Sequence, residues 1–146
     1  MKKIIFSVLL AVTFIMSLNV SKSQAQESLY KRLGGYDAIA AVVDDFVPRL
    51  VTDQMLSKYF VGASDESKMR IRQLLVDQIC AASGGPCVYI GRTMKQSHKG
   101  LGISEAEWNS AAGHLVASLK KFNVPEKEMN DLVAIVVSLK GDIVEK

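Results

Sequence analysis

Apolar residues recur every three or four positions over most of this chain, which is the spacing of one face of an α-helix. The first such segment starts at Tyr36, and its apolar face consists of Ile39, Val42, Val43, Phe46, Val47 and Leu50. The second begins around Asp65 and presents Ile71, Leu74, Leu75, Ile79 and Ala82. The third presents Trp108, Ala111, Ala112, Leu115, Leu119 and Phe122. The fourth presents Met129, Leu132, Val133, Val136, Leu139 and Ile143.

Signals at the ends of these segments support helices. Ser104 and Glu107 form a capping box, and Pro125 suits the first turn of a last helix. Pro48 lies inside the first segment and predicts a kink or an early end there. A short turn at 28–33 and a short helix around 93–99 complete the pattern. No segment alternates as a strand does, so the sequence predicts an all-α protein with about four substantial helices.

The N-terminal residues have the pattern of a secretory signal peptide. Two lysines precede an almost wholly apolar run from Ile4 to Leu18, and small residues surround a cleavage position after Ala25. The alternative is an uncleaved anchor, but the run is shorter than the roughly 20 residues that span a bilayer. We therefore predict a signal peptide at 1–25 and one domain at 26–146, periplasmic or secreted and with no membrane association after cleavage.

The lysines of this segment account for the whole net charge of +3, so residues 26–146 are formally neutral. Nothing in the overall charge indicates a nucleic-acid partner. Export also places Cys80 and Cys87 where a disulfide persists. Six residues separate them, and Gly84-Gly85-Pro86 supplies a turn, so we predict a bridge; two free thiols are the alternative. The spacing matches no common zinc site.

Two histidines, His98 and His114, are the only ones in the chain. His98 has basic residues on both sides and is followed by a glycine-rich stop before a capped helix. This arrangement suits an imidazole on a short helical turn that faces a flat apolar ligand with acidic groups, which need cations as partners. Haem is a ligand of this kind. A structural or exposed histidine is the alternative. For His114 we predict a structural role, with a hydrogen bond to a carbonyl or to water.

Short motifs, in order along some 110 residues, make the chain resemble the truncated haemoglobins, most closely group I. These motifs are Gly34-Gly35, Asp45-Phe46, Tyr59-Phe60, Gly84-Gly85-Pro86, Tyr89-x-Gly91, Met94-x-x-x-His98, Gly100-x-Gly102-Ile103, Gly113-His114-Leu115 and Val124-Pro125. The resemblance implies a two-over-two helical sandwich around one b-type haem per chain. It also implies that His98 is the proximal iron ligand and that Phe60 packs on the porphyrin.

Further residues are expected around the haem. Met94 lies one helical turn before His98 and suits soft packing on the proximal side. One or two of four cations are expected to contact the haem propionates: Arg72, Arg92, Lys95 and Lys99. The remaining predicted haem contacts are Phe46, Val47, Ile71, Leu74, Leu75, Leu101 and Ile103.

The distal side departs from the family. The position of the family's tyrosine, which donates a hydrogen bond to the gas ligand, falls at Val47. Its usual polar positions on the next helix fall at Ile71, Leu74 and Leu75, all apolar. Gln73 and Gln78 are the nearest polar alternatives. Without a donor, oxygen is expected to leave fast, because a buried hydrogen bond of about 1–3 kcal/mol is missing.

The sequence thus predicts an exported haem protein that reversibly binds oxygen, carbon monoxide or nitric oxide, as a carrier, buffer or sensor, with no catalytic residues. One alternative is a haem enzyme, such as a nitric oxide dioxygenase or a weak peroxidase, that needs a reductase or another external reductant. Two others are an electron-transfer haem protein and a helical binding module without haem. No Cys-x-x-Cys-His signature is present, which disfavours a c-type cytochrome.

Overall fold

The computed structural model describes residues 27–146, so the predicted signal peptide lies outside the described residues. Seven helices and one 3₁₀ turn follow one another along this part of the chain. They are α1 (Leu29–Arg32), α2 (Gly35–Thr52), the 3₁₀ turn (Ser57–Phe60), α3 (Asp65–Ala82), α4 (Met94–His98), α5 (Glu105–Lys121), α6 (Glu126–Ser138) and α7 (Lys140–Ile143). No β-strand occurs between residues 27 and 146, which confirms the predicted all-α class. Within the same range, no helix is both long and apolar enough to cross a bilayer.

Helix α2 is the centre of the core. It packs against α3 on one side and α5 on another, and α6 packs against α5 and α1. Val43 of α2, Val76 of α3, Leu119 of α5 and Leu132 of α6 are almost completely removed from solvent. The predicted faces of α2, α5 and α6 therefore contribute to one core. Helix α3 contributes Ile79 as predicted, but also Val76 and Cys80, which lie outside its predicted face. The short helix α4 packs separately against α7.

Pro48 does not end α2, so of the two predicted effects, a kink or an early end, the early end is wrong. The helix continues to Thr52, whose hydroxyl donates to the Pro48 carbonyl at 2.8 Å. A proline at this position deprives the Asp44 carbonyl of its helical donor. Asp44 and Pro48 are both exposed, so water can take the place of that donor.

The last predicted helix is divided in two. Helix α6 ends at Ser138 and α7 begins at Lys140, with Leu139 between them. The N–H of Leu139 donates to the Val136 carbonyl at 3.0 Å. This hydrogen bond spans three residues, as in a 3₁₀-helix, and ends the regular α-helical hydrogen bonds of α6. Pro125 precedes α6 as its N-cap rather than lying inside the first turn.

A row of polar contacts joins α5 to α2 and the connector after it. His114 Nε2 and Ser110 Oγ both bond to Oδ2 of Asp53, at 2.8 and 3.0 Å. Ser118 Oγ donates to Asp45 at 2.8 Å, one helical turn further along α5. His114 is thus structural, as predicted, but its partner is a carboxylate rather than a carbonyl or water. The hydrogen bond from His114 is the largest cause that lowers the pKa of Asp53 to about 2.

Candidate functional site

Helix α4, which carries His98, has only five residues and is stabilised by a capping box. The Thr93 hydroxyl accepts from the Gln96 N–H at 3.2 Å, and the Gln96 side chain accepts from the Thr93 N–H at 3.3 Å. Each side chain therefore satisfies a backbone donor that a helix start leaves free. This reciprocal cap gives a very short helix a defined beginning, four residues before its histidine.

The imidazole of His98 is oriented by the backbone of its own helix. Its Nδ1 lies 2.8 Å from the Met94 carbonyl oxygen. Because a carbonyl only accepts, Nδ1 carries a hydrogen, and in the neutral form of the ring Nε2 then has the free lone pair. The side chain is half-buried, and Met94 beside it is also half-buried. A neutral imidazole whose second nitrogen is fixed by a carbonyl is the usual state of a metal-binding histidine.

Helix α3 has two apolar faces with different surroundings. Val76, Ile79 and Cys80 are buried in the core, next to α2. Ile71 and Leu74 are only half-buried and lie outside this core, whereas the half-buried Leu75 packs against it. An apolar face left partly in water is unfavourable by about 25 cal/mol for each Å². This face therefore suits a flat apolar ligand.

The two glutamines of α3 differ in their placement. Gln73 is exposed, and its side chain donates to Tyr36 Oη at 2.8 Å and to Asp77 at 2.9 Å. The side-chain oxygen of Gln78 is buried and has no hydrogen-bond partner among residues 27–146. Of the two, only Gln78 has a buried side-chain oxygen without a partner among residues 27–146.

A disulfide joins Cys80 to Cys87, with 5.8 Å between their Cα atoms, as the sequence predicted. It connects the last turn of α3 to the segment that leads to α4. The hairpin needs Gly85, because a Cβ atom there would lie 2.7 Å from Cys80 Sγ and 2.5 Å from the Tyr30 ring. The bridge thus fixes the start of the segment that carries His98.

The four predicted cations do not lie together. Arg92, Lys95 and Lys99 are exposed around α4 and form no ion pair within the described part of the chain. Arg72 instead donates two bonds to Asp44, at 2.7 and 2.9 Å. It lines an outer groove of about 680 Å³ between α2 and α3. A bidentate carboxylate partner therefore already engages this guanidinium, unlike the charged groups of the three cations around α4.

The other predicted contacts vary in exposure. Phe46 and Val47 are buried in α2, and Ile103 is buried after α4. Phe60 ends the 3₁₀ turn and is half-buried, whereas Leu101 is 43% exposed.

Sequence reasoning missed Glu145. Its carboxylate accepts the N–H groups of Gly100 and Gly102, directly after α4. No local pattern indicates this contact, because the partners lie 43 and 45 positions apart in the chain.

Comparison with known proteins identifies close relatives of this fold. The family model described as "Bacterial-like globin" matches residues 28–145. The group 1 truncated hemoglobin GlbN of Mycolicibacterium paratuberculosis is 34% identical over 116 residues, which is 80% of this chain and 83% of the relative. GlbN of Synechocystis sp. is 35% identical over 118 residues, covering 78% and 90%.

Solved structures of truncated hemoglobins have the same fold as this chain. The truncated hemoglobin from Tetrahymena pyriformis, in its Fe(III) form, superposes with a TM-score of 0.76 at 23% identity, over 82% of this chain and 100% of that one. The 2/2 hemoglobin from Synechococcus sp. PCC 7002, with covalently attached heme, gives a TM-score of 0.73 at 26% identity, over the same shares of the two chains.

Proposed function

Because this chain belongs to the bacterial-like globin family, with group 1 truncated haemoglobins as relatives over most of its length, we propose that it holds one b-type haem and binds oxygen or another diatomic gas. The fold is the two-over-two globin fold of these proteins. When bound, the haem supplies an iron that coordinates a diatomic gas reversibly. The chain supplies the ligand to that iron, the apolar surroundings and the cations.

The state of the His98 imidazole carries this proposal. The Met94 carbonyl holds Nδ1 at 2.8 Å, which leaves Nε2 as the nitrogen that binds iron. A carbonyl partner also orients the ring and raises the basicity of the coordinating nitrogen. His114 does not compete for this role, because its Nε2 is engaged by Asp53 at 2.8 Å.

The half-buried apolar side chains fit the rest of the cofactor. Ile71, Leu74 and Leu75 on α3 are proposed to cover one face, and Met94 the other, with Phe60 at the ring. One or two of Arg92, Lys95 and Lys99 are proposed to pair with the propionates, because they surround the histidine and have no carboxylate partner among residues 27–146. We exclude Arg72, which Asp44 already engages.

The distal residues decide which gas the protein releases quickly. Val47, Ile71, Leu74 and Leu75 carry no donor, so they offer a diatomic ligand only apolar contact. Gln78, whose side-chain oxygen is buried and without a partner among residues 27–146, is the remaining candidate on α3 for a polar contact with the ligand. Such a pocket suits rapid exchange, as in a carrier, buffer or sensor, better than retention of oxygen.

The disulfide supports an exported protein, because such bridges persist mainly in oxidising compartments. Together with the sequence pattern at 1–25, it favours a periplasmic or secreted location. In that location a haem protein that binds gas either works without a reductant or receives electrons from an external reductase.

Paired histidine variants test the haem proposal. We expect His98→Ala to lose the Soret absorption band, or to regain a weakly held haem when imidazole is added. His114→Ala should keep the spectrum of the unmodified protein, and the reduced protein should bind carbon monoxide. The assignment is wrong if His98→Ala keeps a normal spectrum and His114→Ala does not. Absence of a Soret band from the unmodified protein, after reconstitution with haem, would refute the proposed function itself.

A further inference from the structure

The loop that follows His98 is fixed by the C-terminal segment of the chain. One carboxylate oxygen of Glu145 accepts the Gly100 N–H at 2.8 Å, and the other accepts the Gly102 N–H at 2.6 Å. The backbone N–H of Glu145 donates to the Ile103 carbonyl at 2.8 Å. A single residue therefore makes three hydrogen bonds to a stretch of four residues.

The loop is shaped to receive a carboxylate. Gly100 and Gly102 have φ values of 81° and 63°, a region that glycine adopts without the penalty of other residues. Successive N–H groups in such conformations form a concave site for an anion. Here the chain supplies the anion itself, so this concavity is filled from within the fold.

Both hydrogen bonds are charge-assisted, which makes them about twice as strong as neutral ones. The Gly100 N–H, followed by the Gly102 N–H, lowers the pKa of the Glu145 carboxyl. The carboxylate is thus the form that the loop selects. An amide side chain at this position is neutral and has one acceptor oxygen, so it could not offer a separate charged oxygen to each of the two N–H groups.

The same contacts lead directly to the histidine. The Leu101 N–H donates to the His98 carbonyl at 3.1 Å, between the two amides that Glu145 holds. Helix α4 packs on α7, and α7 ends two residues before Glu145. His98 is therefore held on its N-terminal side by the Met94 carbonyl and on its C-terminal side by a loop attached to Glu145.

We propose that Glu145 is a positioning residue for His98: it fixes the loop after α4 and so sets the orientation of the imidazole toward iron. This inference rests on the proposed role of His98 as the haem ligand. It adds a residue from the far end of the described chain to the proximal side of the site. The hydrogen bonds act through the backbone of the loop, and the Glu145 carboxylate also lies near enough to His98 for their charges to interact.

The test compares Glu145→Gln with Asp142→Asn in the haem-loaded protein. Both variants remove one negative charge from the same segment, but the Asp142 side chain is exposed and makes no hydrogen bond within residues 27–146. In the reduced carbon monoxide form, we expect amide hydrogen exchange at Gly100 and Gly102 to become at least tenfold faster in Glu145→Gln only.

Two further measurements report on the histidine. We expect the iron–histidine stretching band of the reduced, ligand-free protein to shift or broaden in Glu145→Gln, and haem transfer to an excess of apomyoglobin to become about tenfold faster. Asp142→Asn should match the unmodified protein in both. Faster amide exchange with an unchanged iron–histidine band would overturn the positioning role, since Glu145 would then fix the loop without affecting the histidine. Unchanged amide exchange would show that Glu145 does not fix the loop at all.

Glu145→Asp keeps the inference testable if Glu145→Gln does not fold. The shorter carboxylate keeps its charge but reaches only one of the two amides, so one amide should exchange faster and the band should move by a smaller amount. Retention of a normal Soret band by His98→Ala would instead show that the proposed haem ligand is wrong. That result is independent of any outcome at Glu145.

Discussion

The disulfide between Cys80 and Cys87 permits a quantitative prediction, because its ring is short and its surroundings are known. The bonded residues are 7 positions apart, and the Cys80 side chain is completely buried. We choose Cys87→Ser as the perturbation. Cys87 is half-buried and tolerates a hydroxyl, whereas a polar atom at Cys80 would be buried without a partner.

The expected loss follows from the loop that the bond closes in the unfolded chain. For a ring of this size the chain-entropy relation gives about 2.4 kcal/mol at 25 °C. For a domain of about 120 residues, that loss corresponds to a melting temperature about 10 °C lower. The Cys80 thiol remains as a small apolar side chain in the core, so no large cavity term is added.

Urea unfolding followed by circular dichroism measures the effect, with all samples in the same haem and ligand state. Val88→Ser is the matched control, because Val88 is adjacent in the chain but 75% exposed, and it should change stability by less than about 0.5 kcal/mol. Reducing the unmodified protein with dithiothreitol should reproduce the loss, and the same treatment should not affect Cys87→Ser. The reasoning fails if the reduced protein, shown by its mass to carry two thiols, unfolds at the unchanged urea concentration.

Three other predictions follow from contacts described above. Val47→Tyr should slow oxygen release about tenfold, because the tyrosine adds a hydrogen bond of about 1.4 kcal/mol, while carbon monoxide release changes much less in stopped-flow measurements. If the unmodified protein already releases oxygen slowly, and Gln78→Leu makes that release fast, a donor is already in place and the reasoning is wrong. The pKa of Asp53 is lowered from 3.8 to about 2, so its contribution to stability is present above pH 4 and is lost as the pH falls toward 2. In acid unfolding, His114→Gln should lose less stability between pH 4 and pH 2 than the unmodified protein does. An equal loss of stability would contradict the role of the His114–Asp53 hydrogen bond. Ser104→Ala should lower stability by about 1 kcal/mol in urea unfolding, because the N-cap hydroxyl of α5 is removed, and no loss would show that the capping box is not needed.

Periodicity predicted the helical segments well, although the core face of α3 is rotated from the predicted one, so that Val76 and Cys80 are its most buried residues. Val43, Val76, Leu119 and Leu132 all come from predicted helical segments and meet around α2. Side chains that bond to the backbone of their own helical turn could also be predicted from the sequence, as the capping box of Ser104 and Glu107 shows.

The structure differs from the sequence prediction where solvent exposure or a residue distant in the chain determines the local structure. Pro48 does not end its helix, because the missing donor falls on the exposed side of α2. Arg72 looks like a propionate partner by charge alone, but Asp44 on the neighbouring helix engages it. The burial of the Gln78 side-chain oxygen depends on the rotation of α3 about its axis, and the role of Glu145 depends on contacts more than 40 positions away.

The contact between Glu145 and the loop after His98 also has a consequence for the order of synthesis. At about 5–20 residues per second, roughly 2–10 s separate the production of the histidine from that of the residue that clamps it. The helical pair α2 and α3 is complete well before then, because it lies earlier in the chain. The proposed export delivers the chain in the same order, so the loop after His98 is fixed by Glu145 only once α5, α6 and α7 have followed it.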